Sequence, residues 1–187
     1  MEPRAKGTDF EEILNRSTIP GKITMNFLEG THPENLPVLI TDFVLDKTAK
    51  ASPIETINIL KSLPLGLRTI YILVRFEDSV NQKGFYNTFK EFQEHDGYLL
   101  RELFSALKVV KARESFKITK KAFLVLYGLK GLFFLSKGKK LPDYGFYTER
   151  KRNKLRRLNE GFYIKSTDLG ICEVGFIINN KELFIIS

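Results

Sequence analysis

Between Arg150 and Arg157 the chain places six cations in eight positions: Arg150, Lys151, Arg152, Lys154, Arg156 and Arg157. Guanidinium and ammonium groups at that density can neutralise several phosphates or carboxylates at once, so the chemistry on offer is the binding of a polyanion. Tyr144, Phe146 and Tyr147 precede the run and could add stacking against nucleic-acid bases. The competing reading is a solvated helix face, because Tyr147 and Leu155 fit a core-facing stripe and no nucleic-acid-binding signature accompanies the charge.

Residues for covalent or metal chemistry are fewer. His32 precedes Pro33 and His95 sits beside Asp96-Gly97, both reading as surface turns. The single cysteine, Cys172, excludes an internal disulfide or a multi-cysteine zinc site and reads as a small core residue in a reducing cytoplasm. Glu77 and Asp78 are adjacent carboxylates, but neighbours on a helix point about 100° apart, so these two are not expected to converge. Glu77 is expected to pair with an internal donor. Gly128 and Gly131 lie inside a helical pattern, where they allow close packing, and no glycine-rich phosphate loop follows a strand. These residues predict a non-enzymatic protein with no metal and no cofactor.

The elements that must position the basic run are mostly helical. The 187 residues suit one domain, 1–187, with 1–7 loose and Thr8 capping a short first helix. Leu36, Leu39, Ile40, Phe43 and Val44 share a helix face, and Ser52-Pro53 opens a further helix running toward Pro64. From Leu65 to Val80 almost no polar face is left, which predicts a central helix. Two more helices follow, one through Leu99, Leu103, Leu107 and Val110 and one through Ile118, Ala122, Val125, Leu126, Leu129 and Phe133. Tyr147, Leu155, Leu158 and Phe162 carry a stripe through the basic run. After it, Val174 to Ile178 and Leu183 to Ile186 are β-favouring runs around Asn179-Asn180-Lys181, which predicts a β-hairpin over 172–187. The expected fold class is therefore mainly α, a multi-helix bundle with a short C-terminal β-hairpin.

The opening MEPRAKGTDF is polar, and the apolar stretch Ala122 to Leu135 is shorter than the roughly 20 residues a bilayer crossing requires. A soluble cytoplasmic protein is expected, without membrane attachment. The net charge is +8, and the excess is concentrated: residues 1–93 carry 11 basic and 12 acidic side chains, whereas 108–165 carry 17 and 4.

The helical pattern halts at Asn81 and restarts at Phe85. Gly84 tolerates a positive φ and Asn81 can bond free backbone groups, so the stretch predicts a tight corner that sends Phe85 and Phe89 into the core. Glu77, Val80, Asn81, Gly84, Phe85 and Phe89 resemble, in order, the signature of the DNA-mimic-protein-like family, a helical domain formerly of unknown function. Gln82, Lys83, Asn87 and Thr88 depart from it. Ala106-Leu107, Val110 and Ala112 resemble a second family motif with Lys111 in place of its glycine, and Leu141, Asp143, Phe146 and Tyr147 a third. The resemblance spans about residues 55–165. It implies a helical core and a binding-module role. The family's characterised type is an acidic protein that occupies the DNA-binding surface of a transcription factor, and a segment of opposite sign cannot imitate phosphates. The expectation is a protein-interaction module with an unidentified, acidic protein partner, or alternatively nucleic-acid binding through 150–157.

Overall fold

The structure, a computed structural model, describes residues 21–94, 97–138, 141 and 147–185. Seven α-helices and two 3-10 turns, and no strand, occur among the described residues. The short first helix expected after Thr8, together with His95, Asp143, Tyr144 and Phe146, lies outside them.

Helix α1 (Met25–Gly30) leads through a 3-10 turn, Pro33–Asn35, into α2 (Leu36–Thr48), where Leu36, Ile40, Phe43 and Val44 are buried. Helix α3 (Pro53–Ser62) opens with a capping box: the Glu55 N–H donates to Ser52 Oγ, while the Ser52 N–H donates to a Glu55 carboxylate oxygen at 2.7 Å. Helix α4 (Leu65–Gln93) is the hub. It packs against α2, against α5 (Tyr98–Val109) and against the long α7 (Glu149–Asn179); α6 (Arg113–Ser136) fills the space between α5 and α7.

Helix α4 is bent back on itself at Gly84, whose φ of 75° and ψ of 168° suit glycine alone. Residues nine and sixteen apart meet across the bend: the Ser79 and Thr88 hydroxyls lie 2.8 Å apart, and Arg75 reaches Glu91 at 3.4 Å. A straight helix would separate the second pair by about 24 Å at 1.5 Å per residue, so the chain does reverse there. Phe76 on the first arm meets Phe85, Phe89 and Phe92 on the second, with ring centroids 6.0 to 6.4 Å apart, and Phe162 of α7 closes the cluster at 5.4 Å. Helix α5 ends with Lys111 at φ 62°, the Ala112 N–H donating to Leu107 O at 3.0 Å and the Lys111 N–H to Lys108 O at 3.0 Å. This is a Schellman cap built on a lysine.

Two sequence expectations are corrected. The C-terminal β-hairpin at 172–187 does not form in its described part: residues 172–179 belong to α7, and Lys181–Phe184 is a 3-10 turn. Leu169, Glu173, Phe176 and Ile177 recur at helical spacing on one buried face, and burial against α4 outweighs the β preference of the Val174 to Ile178 run. Phe184 then packs on Phe176 and over Gly66, where a Cβ would lie 2.7 Å from the Phe184 ring. Second, α6 is not one continuous stripe. Gly128 at φ 62° breaks it and re-aims the helix, leaving Leu129 and Phe133 exposed, while buried Gly131 lies against Tyr127 and Phe123.

Candidate functional site

Helix α7 carries both candidate surfaces. Thr148 caps its start, Oγ1 accepting from the Lys151 N–H, and Leu155, Phe162 and Leu169 anchor one face in the core. Seven-residue spacing keeps those anchors aligned, so the remaining circumference of the basic segment faces solvent. Arg150, Arg152, Lys154, Arg156 and Arg157 are exposed and Lys151 is half-buried. Arg150, Lys154 and Arg157 line a shallow groove with Glu149 and Asn153. Tyr147 stacks on Tyr86 of α4 at 4.1 Å, and the Arg152 guanidinium lies 5.6 Å from the Tyr147 centroid. The aromatic expected to serve ligand stacking is therefore packed against the protein's own surface. The charged face continues into exposed apolar side chains: Tyr163 is 68% accessible, Ile164 73% and Ile171 66%.

The corner residues are structural. Val80, Phe85 and Phe89 are buried. Asn81 is exposed, and the amide freed by the bend is satisfied from elsewhere: the Phe85 N–H donates to Asn159 Oδ1 of α7 at 3.0 Å. No sequence pattern pointed to Asn159, which is 74 residues away. The corner therefore locks α4 onto the basic half of α7.

Glu77 borders a cleft formed by the same helix pair. Together with Asp78, Glu34, Pro37, Val38 and Val74 it lines an open cleft of about 560 Å³, closed on α7 by Thr167, Gly170, Ile171, Glu173 and Val174. Glu173 is 2% exposed, and its Oε1 has no hydrogen-bond partner. Burial holds this carboxyl well above the usual carboxylate range, and the charges of Glu77 and Asp78 push it further the same way. Both neighbouring carboxylates thus bear electrostatically on one buried group, Glu77 from a half-buried position and Asp78 from an exposed one. Sequence offered a weak signal, a lone acid at a core-facing position between Leu169 and Ile177, which the β reading of that segment concealed.

His32 is exposed at the 3-10 turn, and Cys172 is half-buried with its thiol shifted up by burial. Among the described residues no group of three His, Cys, Asp or Glu side chains is placed to hold a metal, and no helix is long and apolar enough to cross a membrane. No protein-family model matches the chain, and neither curated proteins nor solved structures include a match to it.

Proposed function

We propose that this chain is a cytoplasmic, non-enzymatic protein-interaction module that docks an acidic protein partner through the exposed face of α7 between Arg150 and Ile171. The observation that carries this reading is the continuity of the exposed cations with Tyr163, Ile164 and Ile171 on one helix. Full burial of each isoleucine is worth about 1.5–3 kcal/mol, and a protein surface supplies that burial where a phosphodiester backbone does not. Nucleic-acid binding through 150–157 is the second reading, favoured by the exposure of five of the six cations. The internal Tyr147–Tyr86 stack counts against it.

Membership in the DNA-mimic-protein-like family is part of the proposal. Supporting it are the reversal at Gly84 and the left-handed backbone of Lys111, which stands where the family motif has glycine. DNA mimicry is excluded from it, because the surface offered is cationic.

The test compares the wild-type chain with the Arg152→Glu, Arg156→Glu, Arg157→Glu triple variant, each immobilised and exposed to native lysate with and without nuclease treatment. The expected outcome is an acidic protein held by the wild type, lost from the variant and cross-linked to α7. Retention that disappears with nuclease transfers the site to the second reading. Equal retention by both proteins, or none by either, removes α7 as the docking surface.

A further inference from the structure

The cleft between α2, α4 and α7 has the opposite sign to the basic run and the features of a ligand site in its own right. Its most buried acid, Glu173, has an oxygen with no hydrogen-bond partner, a costly state for a group shielded from water. Glu77 and Asp78 of α4 and Glu34 of the 3-10 turn line the same opening, so the titratable groups that line it with Glu173 among the described residues are acids. Pro37 and Val38 of α2, Val74 of α4 and Ile171 of α7 supply apolar walls. A cation on an apolar stem complements both features.

We infer that this cleft is a binding site for an arginine side chain carried on a segment of a partner protein, its guanidinium meeting Glu173 and Asp78 and its methylenes covered by Val38, Val74 and Ile171. Arginine fits better than lysine, because its planar fork donates to two carboxylates at once and tolerates desolvation. A metal ion fits worse, since no set of three ligands is assembled among the described residues. The site shares no cation with the docking face of α7, and Ile171 borders both.

Occupancy has a protonic signature. The free cleft keeps the Glu173 carboxyl protonated above the ordinary carboxylate range, and an entering guanidinium favours the ionised form, so binding releases a proton. Affinity must then rise with pH until Glu173 is ionised in the free protein.

The experiment titrates the capped peptide Ala-Val-Arg-Val-Ala, its citrulline counterpart and free L-arginine into the methyl-labelled full chain, followed by NMR. The expected result is movement of the Val38, Val74 and Ile171 methyls with the arginine peptide, weakened about tenfold or more by Glu173→Gln and by citrulline. Binding should tighten as pH rises above the ordinary carboxylate range in the wild type and lose most of that dependence in Glu173→Gln. The exposed Asp78→Asn gives a second, milder loss, and the α7 triple charge reversal leaves binding unchanged. Unmoved cleft methyls, equal binding of the citrulline peptide, or wild-type affinity in Glu173→Gln would overturn the site. Free L-arginine binding as tightly as the peptide would overturn its assignment to a protein segment.

Discussion

Replacing Gly84 with alanine tests the corner on which the whole arrangement of α4 and α7 depends. At φ 75° and ψ 168° the backbone lies in a region that costs a residue with a Cβ about 1–3 kcal/mol. The new methyl would also stand 2.6 Å from Asn159 Nδ2 and 3.2 Å from Asn159 Cγ, so the amide must swing away. Swinging away breaks its bond to the Phe85 N–H, worth about 1 kcal/mol for a partly buried pair. Gly84→Ala should therefore destabilise the protein by about 2–4 kcal/mol, a large part of the roughly 5–15 kcal/mol typical of a domain. Asn159→Ala alone should cost about 1 kcal/mol, and in that background Gly84→Ala should retain only the backbone strain. The two changes should thus fall short of additivity by about 1 kcal/mol. Urea unfolding followed by far-UV circular dichroism measures all four proteins of the cycle. A Gly84→Ala cost below about 0.5 kcal/mol would refute the strain, and strict additivity would refute the Asn159 lock.

Lys111→Gly should raise stability by about 1 kcal/mol, since a lysine now occupies the left-handed position of the α5 cap; the same urea titration reads it. Phe162→Ala should cost about 3–5 kcal/mol by opening a cavity against Phe76 and Phe85, whereas reversing Arg156 and Arg157 should leave the unfolding midpoint nearly unchanged. Glu173 has a folded-state pKa raised above its unfolded value, so the folded chain binds the extra proton and stability falls as pH rises from the unfolded value through the raised one. Glu173→Gln should remove that decline and leave the variant the more stable protein at neutral pH, as melting temperatures across a pH series would show.

Much of the helical framework was legible along the chain because its causes are local. Ser52, Pro53 and Glu55 write a helix start in adjacent residues, and the buried set Leu36, Ile40, Phe43 and Val44 repeats at helical spacing. Gly84 was legible for a similar reason: a reversal between two apolar helices requires a residue without a Cβ. Gly128, set in the largely apolar run Ala122 to Leu135, gives no comparable signal and fits a continuous helical pattern. The run from Val174 to Ile178 misled because its β-branched residues favour a strand in isolation, and only the packing of Phe176 and Ile177 against the core decides otherwise.

The functional surfaces divide in the same way. The basic run is contiguous, so sequence alone determined its charge, its helical presentation and its attraction for polyanions. That its tyrosine is stacked on Tyr86, and that its exposed face runs on into Ile164 and Ile171, followed only from how α7 is rolled against α4. The acidic cleft was decided wholly by tertiary structure. Glu34, Glu77, Asp78 and Glu173 come from three separate stretches of chain and share a site because α2, α4 and α7 meet there. The environment that holds a proton on Glu173 exists only once those helices have excluded water from it.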